Sequence, residues 1–499
     1  MQEQPSLKQK TLSGMFWTFS DLIANQGLNF IIQIIFARLL TPRDFGIIGM
    51  ITVFIAIAQT IVDSGFTNGL IRERDVGQRE YSTVFFFNTA VALSLYIIMF
   101  ISANAISNFF GEPQLVSIVK ILGLVLVINS FGIIQRTILI RKIDFKTQIK
   151  VSIVSSIVSG IIGIIAAFTG YGIWSLVIRT LAREFMQTLL LSVFNRWKPS
   201  LIFCKTAFLR LFSFGWKLLL SQLISTVFEN IYYLIIGKAY SASDLGYYTN
   251  ASKLRDIASE SVTEAIQKVS YPVLSSIQEH NERLKQGYRK IIKNSVFLTF
   301  PIMIGLAAIA DPLYKFLYGE KWLNAIPFFQ ILCFSGLLYP LHAINLNILK
   351  VKGRTDLYLY LSILRRILAI ITIGAVFLLK LGLFGLVWTA VINSFVSYLI
   401  NSHFSADLLS YSTKDQIKDI MPVSLISVSM GILVYFCATL IPFTNFLKLM
   451  ITVIIGLVWY IVLCRIFKID ELNTVFDLIK IVRKSGEKLK CTLSKSPSK

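Results

Sequence analysis

Two long apolar segments of the sequence each contain a pair of arginine residues. Arg179 and Arg183 are four residues apart and therefore share a helical face, and Arg365 and Arg366 are adjacent in a later segment. The planar guanidinium fork of arginine matches phosphate oxygens and keeps its charge. We therefore predict that these four residues bind a diphosphate group. For each of them, a structural ion pair or a side chain that extends to a polar boundary is the alternative.

A charged stripe follows one face of the segment 245–277. Its members are three or four positions apart, which places them on one side of a helix: Lys253, Asp256, Glu260, Glu264 and Lys268. Because the signs are mixed, one interpretation is a self-neutralised, wet face. The other is the wall of a solvated cavity. In that case Lys253 and its neighbour Arg255 would contact an anionic ligand, and Asp256, Glu260 and Glu264 would bind a cation or proton.

Further polar residues interrupt two other apolar segments. Asp21 and Asn25 share a helical face near the start of the chain, and Glu229 lies in the segment 211–236. An acidic residue in each of these segments suits a central cavity in which a cation or proton is coupled to movement of a ligand. Hydrogen bonding between helices is the alternative.

The elements that carry these residues are strongly apolar. Of 499 residues, 55% are hydrophobic and only 15% are charged, and the mean hydropathy is +0.67. Soluble proteins carry about 25% charged residues. Apolar runs close to the roughly 20 residues that cross a bilayer recur as far as residue 466. The sequence therefore predicts an all-α integral membrane protein with about fourteen transmembrane helices.

The predicted spans follow from the apolar runs. They are 13–37, 44–65, 82–104, 115–135, 149–168, 171–194, 211–236, 245–277, 291–310, 325–349, 357–379, 382–404, 420–441 and 444–464. The span 245–277 is the weakest, because it contains the charged stripe.

The distribution of Lys and Arg predicts how these spans are oriented. The net charge of +22 lies mainly in one set of alternating connections and in the tails. The other set carries few basic residues: Arg38, Arg43, Lys238, Lys315, Lys321 and Lys380. By the positive-inside rule both termini are cytoplasmic, in the inner membrane. This placement also argues against nucleic acid as a partner, and it requires the span 245–277 to cross.

A short motif occurs twice and divides the chain. Thr41-Pro42-Arg43-Asp44-Phe45-Gly46 precedes the second span, and Ser241-Ala242-Ser243-Asp244-Leu245-Gly246 precedes the eighth. In each copy an acidic residue is placed to cap the helix start. We predict two pseudo-repeated six-helix lobes, 13–205 and 206–410, as in two-lobed transporters. Two extra helices follow within 411–466, and the polar tails are 1–12 and 467–499.

Sites for catalysis, a metal or a cofactor are not predicted. The three histidines, His280, His342 and His403, are far apart, and the cysteines have no metal-ligand spacing. A glycine-rich phosphate loop before Lys-Ser/Thr is also missing.

Several motifs resemble those of polysaccharide flippases of the Wzx type. They are Gly14-Met15-Phe16-Trp17, Ala37-Arg38-Leu39-Leu40-Thr41-Pro42-Arg43-Asp44-Phe45-Gly46, Asp63-Ser64-Gly65-Phe66, Leu70-Ile71-Arg72, Leu245-Gly246-Tyr247-Tyr248 and Pro272-Val273-Leu274-Ser275. The sequence is most similar to the colanic and teichuronic acid exporter branch of the multidrug/oligosaccharidyl-lipid/polysaccharide (MOP) superfamily.

This resemblance implies more than the residue pattern does. It implies a transporter that flips undecaprenyl-diphosphate-linked oligosaccharide to the outer leaflet for capsule, exopolysaccharide or O-antigen assembly. It further implies alternating access, membrane lipids as neighbours, a monomer, and contacts with a polysaccharide polymerase and export machinery. In related lipid flippases the last two helices help to form a groove for the lipid tail.

Three other functions are compatible with parts of the pattern. A cation-coupled multidrug antiporter of the same superfamily would favour acidic and aromatic sites, whereas the surplus here is basic. A membrane glycosyltransferase, polymerase or ligase would carry a large outer loop with catalytic residues, and the outer connections are short. A scaffold without transport activity would leave the charges inside the spans unexplained.

Overall fold

The computed structural model describes residues 25–63 and 65–473. Side chains are described throughout these ranges except at 260–262, 265, 268, 269, 271, 272 and 355. Asp21 therefore lies outside the described residues, as do the side chains of Glu260 and Lys268.

Every regular element within the described ranges is a helix. Helix α1 covers 25–39. The next helices are α2 (Pro42–Asp63), α3 (Phe66–Arg72), α4 (Gln78–Phe110), α5 (Leu115–Leu122), α6 (Leu124–Arg141), α7 (Phe145–Phe168), α8 (Trp174–Asn195), α9 (Lys205–Glu229) and α10 (Ile231–Ala239). They are followed by α11 (Ala242–Ser276), α12 (Asn281–Ala308), α13 (Ala310–Leu317), a 3₁₀ helix (Glu320–Ala325), α14 (Ile326–Leu337), α15 (Tyr339–Val351), α16 (Thr355–Leu378), α17 (Gly382–Leu409), α18 (Thr413–Leu440) and α19 (Asn445–Ile466).

The helices confirm the predicted all-α, multi-pass membrane protein. Within the described residues, 11 helical segments are long and apolar enough to cross a membrane. Three predicted spans are not among them. The span 13–37 lies partly outside the described residues, whereas α8 and α11 contain several charged residues each. The count of about fourteen therefore stays a prediction.

The chain divides into two compact units. Unit 1 contains the described residues up to Asn250 together with Leu317–Trp322, and unit 2 contains Ala251–Phe316 and the residues from Leu323 onward. This boundary falls inside α11, later in the chain than the predicted lobe boundary at 205. The division into lobes of six, six and two helices stays a prediction.

Small residues of α7 let α1 approach closely in unit 1. A Cβ atom at Gly160 would lie 2.6 Å from Cδ1 of Ile32, and one at Gly163 would lie 2.8 Å from Cζ of Phe36. Helices in a membrane associate largely through such close packing, since lipid tails are as apolar as their side chains. Helix α1 therefore packs closely on the face of α7 that carries both glycines, beside α8.

The repeated motif forms a reciprocal contact in unit 1. In both copies the acidic residue caps its helix: Asp44 accepts from the backbone N–H of Thr41 at 2.9 Å, and Asp244 accepts from that of Ser241 at 3.2 Å. The predicted caps are therefore present. The starts of α2 and α11 also meet backbone to backbone. A Cβ at Gly46 would lie 1.7 Å from the carbonyl oxygen of Ala242, so only glycine fits there.

The segment Leu317–Trp322 follows α13 but packs in unit 1. The buried indole of Trp322 donates to the carbonyl oxygen of Ala37 at 2.7 Å and meets the ring of Phe45 edge-on at 5.2 Å. Lys321 Nζ donates to the carbonyl oxygens of Arg38 and Leu40, both at 2.6 Å. These bonds satisfy carbonyl groups at the end of α1, which have no partner within the helix.

Unit 2 is centred on α12, which packs against α14, α15, α17 and α18. The buried hydroxyl of Tyr288 donates to Oδ1 of Asn345 at 2.5 Å, and Ser405 donates to the same oxygen at 2.7 Å. This network joins α12, α15 and α17 by their polar groups as well as by packing, which favours one arrangement of the three helices.

Candidate functional site

Arg179 of α8 is held by contacts within unit 1. Its Nη2 donates to Oδ1 of Asn29 at 3.1 Å, and its guanidinium lies 5.3 Å from the ring centroid of Phe36. A Cβ at Gly163 would lie 2.7 Å from its own Cβ. This predicted ligand residue therefore packs against α1 and α7, where it orients the helices around it.

Asn25, one of the predicted cavity residues, also joins α1 to α7. Its Nδ2 donates to Oγ of Ser152 at 2.9 Å, and its Oδ1 accepts from Oγ of Ser156 at 3.4 Å. This is the interhelical hydrogen bonding that the sequence left open as the alternative to a coupling role.

Arg183 lies one helical turn beyond Arg179 in a cluster of mixed charge. Glu184 is close enough to Arg183 and to Arg136 of α6 for electrostatic attraction, and Arg136 attracts Asp63 of α2 in the same way. Arg183 itself makes no hydrogen bond or ion pair with the described residues. Of Arg179 and Arg183, it is therefore the one whose guanidinium donates to no group of the described residues.

A polar cleft lies between the α2–α3 region and α9, entirely within unit 1. Its volume is about 560 Å³, and it is lined by Ala56, Gln59, Thr60, Asp63, Gly65, Asn68, Leu218, Leu219, Ser221, Gln222, Thr226, Glu229 and Asn230. We call it the α2–α9 cleft. It places the predicted residue Glu229 and the carboxylate of Asp63 on one cavity, and no Lys or Arg lines it.

The walls of the α2–α9 cleft are fixed to each other. The hydroxyls of Thr60 and Thr226 are 3.1 Å apart in a hydrogen bond between α2 and α9. Gly65 approaches Gly215 so closely that a Cβ would lie 2.4 Å from the carbonyl oxygen of Gly215, and Gly65 has φ of 67°. A side chain there would be strained by both the contact and the left-handed backbone.

One member of the α11 stripe is paired with a residue outside the stripe. Asp256 forms an ion pair at 2.5 Å with its neighbour Arg255, which was predicted to bind substrate. Arg255 Nη1 also donates to Oγ of Ser335 in α14 at 3.0 Å. The side chains of Lys253 and Glu264 are exposed. The guanidinium of Arg255 is therefore bonded to groups of the protein itself.

Polar contacts in unit 2 continue from Ser335 to α15. Ser394 of α17 donates to the carbonyl oxygen of Ser335 at 3.1 Å, and its hydroxyl lies 2.9 Å from Nε2 of the part-buried residue His342. The charge of Arg365 in α16 acts on this imidazole. The structure therefore joins four residues in one row of polar groups: Arg255, Ser335, Ser394 and His342.

Arg365 is bonded only within its own helix. Its Nε donates to the carbonyl oxygen of Leu361 at 3.2 Å and its Nη2 to Oγ of Ser362 at 3.3 Å. It makes no ion pair with the described residues, and Arg366 adds a second positive charge beside it. In unit 2, as in unit 1, one predicted arginine keeps its charge available.

Sequence reasoning missed several polar residues of the site. In the sequence, Asp63 is recognised only as part of a motif, and Arg136 lies just beyond the predicted span 115–135. In the structure, α6 continues to Arg141 and therefore places Arg136 inside a helix. Gln59 and Asn68 are uncharged, so their residue types give no signal. A carboxylate inside a predicted span, such as Asp63 in the span 44–65, is a signal that points to a polar site.

The described residues contain no group of three or more His, Cys, Asp or Glu residues that could hold a metal ion.

The sequence of this chain matches a known protein family. A family model with the description "Polysaccharide biosynthesis protein" matches residues 35–327, which is more than half of the chain. The chain belongs to the polysaccharide biosynthesis protein family.

Two relatives of this polysaccharide biosynthesis protein match over most of its length. The teichuronic acid biosynthesis protein TuaB of Bacillus subtilis is 27% identical over 86% of this chain and 89% of its own length. The lipopolysaccharide biosynthesis protein WzxC of Escherichia coli is 24% identical over 79% of this chain and 81% of its own. These matches confirm the predicted resemblance to proteins of the Wzx type.

A solved structure shows the fold of this polysaccharide biosynthesis protein. The lipid II flippase MurJ, in an inward closed conformation, superposes with a TM-score of 0.74 over 92% of this chain and 99% of its own, at 18% identity. The predicted fold of the MOP superfamily is confirmed.

Proposed function

We propose that this protein is a flippase for undecaprenyl-diphosphate-linked oligosaccharide repeat units. It moves them from the cytoplasmic to the outer leaflet by alternating access, for the assembly of exopolysaccharide, capsule or O-antigen. Membership of the polysaccharide biosynthesis family and a fold like that of a lipid II flippase support this proposal. It is a transporter and not an enzyme in this proposal.

The observation that carries the proposal is the presence in each unit of an arginine that lies inside a predicted span and makes no ion pair with the described residues. Arg183 in α8 and Arg365 in α16 make no ion pair with the described residues. Keeping such charges inside apolar helices is costly, so they are retained where a ligand or a water-filled cavity uses them. A diphosphate supplies the oxygens that guanidinium groups bind most strongly.

The other predicted residues divide into three groups under this proposal. Arg366, Lys253, Asp256 and Glu264 line the solvated path of the headgroup. Arg179 and Asn25 hold α1 against α8 and α7, and Arg255 joins α11 to α14. Asp21 and Glu229 are proposed to couple transport to a cation or proton. The protein acts as a monomer in the inner membrane, has cytoplasmic termini, and delivers its product to a polymerase and export machinery.

The α2–α9 cleft is the observation that favours a second candidate. Two carboxylates and no basic residue line it, as would suit an organic cation in a cation-coupled antiporter of the same superfamily. The available arginines in both units favour an anionic substrate instead.

Reconstitution into liposomes tests the proposed function directly. Purified protein is incorporated with labelled lipid-linked oligosaccharide on one leaflet, and exposure on the other leaflet is measured under an imposed proton or sodium gradient. We expect transfer above that of protein-free liposomes. If transfer is absent under the proton gradient and also under the sodium gradient, the proposal is wrong. Export of ethidium from the same vesicles would support the antiporter instead.

Matched variants locate the diphosphate contacts. Arg183→Ala and Arg365→Ala are expected to reduce transfer at least about tenfold, since each removes a charge-assisted bond from the headgroup. Lys142→Ala, in a loop between α6 and α7, is the control and should retain transfer. Full transfer by both arginine variants at normal protein levels would reject these contacts.

A further inference from the structure

The α2–α9 cleft contains polar groups that the protein itself leaves unused. The amide side chains of Gln59, Asn68 and Gln222 line the cleft and make no hydrogen bonds with the described residues. Each amide offers two donors and one acceptor with two lone pairs. Carboxylates of Asp63 and Glu229 lie on the same cavity and add strong acceptors.

We propose that the α2–α9 cleft binds the saccharide part of the substrate, an inference that rests on the proposed flippase function. Sugar hydroxyls are both donors and acceptors, and they match a wall of amides and carboxylates. A hydroxyl bonded to a carboxylate forms a charge-assisted bond, which is stronger than a bond between neutral groups.

The lining of the cleft excludes the other two parts of a lipid-linked oligosaccharide. A diphosphate would be repelled by Asp63 and Glu229, and no basic side chain lines the cavity to offset them. An isoprenoid chain would leave the polar lining without partners, which costs free energy for each buried group. The saccharide is the part whose chemistry fits.

The position of the cleft also agrees with the diphosphate contact proposed at Arg183. Arg136 acts electrostatically both on Asp63 of the cleft and on Glu184, which follows Arg183 in α8. In the substrate the first sugar is bonded directly to the diphosphate, so the proposed ligand spans the cleft and Arg183.

The size and rigidity of the cleft suit a selective subsite. Its volume of about 560 Å³ falls within the range of about 300–1,000 Å³ that is usual for small-molecule sites. The Thr60–Thr226 hydrogen bond and the approach of Gly65 to Gly215 fix its walls. A preformed polar site rejects ligands that lack the matching hydroxyls, because its groups are then left unpaired.

Two probes test the assignment. The full-length protein in lipid nanodiscs is titrated with undecaprenyl diphosphate, which has no sugar, and with lipid-linked repeat units extracted from the producing strain. For the unmodified protein we expect the repeat unit to bind at least about tenfold more tightly than the sugarless lipid. The ratio of the two affinities is the quantity compared among variants.

The variants separate the saccharide from the diphosphate. The double variant Gln59→Ala/Gln222→Ala, and separately Asp63→Asn, should bring the ratio close to one while leaving sugarless binding unchanged. Arg183→Ala should weaken both probes. Ser94→Ala, an exposed position on α4, is the control. Unchanged sugarless binding shows that a variant is folded.

Each other outcome overturns the assignment in a recognisable way. An unchanged ratio in both cleft variants shows that the saccharide binds elsewhere. An equal loss of both probes shows that the cleft acts on the whole headgroup. If the cleft variants keep the ratio but lose ethidium binding, the cleft is a site for organic cations. Failure of the unmodified protein to bind either probe would reject the proposed function together with this inference.

Discussion

At the scale of the residue, arginines that look equivalent in the sequence have different surroundings. Arg179 and Arg255 donate to Asn29 and Ser335, and Arg255 also pairs with Asp256. Arg183 and Arg365 make no ion pair with the described residues. Guanidinium groups bonded to other helices of the protein contribute to its stability, whereas we propose that Arg183 and Arg365 bind a ligand.

Replacement of Arg255 should therefore lower stability more than replacement of Arg365. Arg255→Ala leaves the part-buried carboxylate of Asp256 without its ion pair and Ser335 without a donor. We expect a loss of about 1–3 kcal/mol, measured as a lower midpoint of thermal unfolding in detergent. Arg365→Ala is the matched control, because its bonds are confined to its own helix. Equal midpoints for the two variants would contradict this distinction.

At the scale of the element, helix starts and one short segment determine how unit 1 is assembled. The repeated motif caps α2 and α11, and its two glycines let these helices meet at their backbones. The segment Leu317–Trp322 then binds the carbonyl groups at the end of α1. Short polar and glycine-containing stretches thus fix contacts that the long apolar helices do not specify by themselves.

The glycine contact can be tested with alanine. At Gly46 and at Gly246 the added methyl group would lie within 2 Å of a carbonyl oxygen (1.7 and 1.8 Å), so the helices must separate. We expect each substitution to cost about 1–3 kcal/mol, as overpacking does, with a lower unfolding midpoint. Gly374→Ala in α16, where nothing lies within 4 Å, is the control and should be neutral or stabilising. Tolerance of alanine at both Gly46 and Gly246 would disprove the close approach.

The buried indole gives a second test of the same element. Trp322→Ala removes a fully buried side chain and its hydrogen bond to Ala37, and should cost about 3–5 kcal/mol. Trp322→Phe keeps most of the packing and loses only the hydrogen bond, so its cost should be smaller, about 1 kcal/mol. Trp388→Ala, at an exposed position on α17, serves as the comparison. The order of the three unfolding midpoints is the measurement.

At the scale of the whole molecule, whether α11 crosses the membrane decides the orientation of every helix that follows it. The charged stripe keeps α11 out of the set of strongly apolar helices, yet the distribution of Lys and Arg predicts that α11 crosses. A helix with charged groups can cross a membrane when those groups face protein or water.

Fusion reporters measure this crossing. Alkaline phosphatase fused after Tyr240 should be active, as expected outside the cytoplasm, and inactive when fused after Glu282. A fluorescent protein, which folds in the cytoplasm, should show the opposite pattern at the two sites. Fusions after Lys142 provide a cytoplasmic reference. The same reporter response at Tyr240 and Glu282 would show that α11 does not cross.

The sequence by itself determined that this chain is an all-α membrane protein of the Wzx type. Hydropathy, helix caps and recurring motifs are local properties, so they can be recognised without knowing which helices touch. The caps at Asp44 and Asp244 illustrate this, since each bond joins residues three positions apart.

Only the tertiary structure decided which of the predicted residues are bonded to other parts of the protein. Arg179 is bonded to Asn29, 150 residues away, whereas Arg183 one turn later is not bonded, and nothing in their common spacing distinguishes them. The α2–α9 cleft likewise needs Gln59 and Gln222, which lie in helices far apart along the chain. The physical reason is that the availability of a polar group depends on its neighbours in space, and packing between distant helices selects those neighbours.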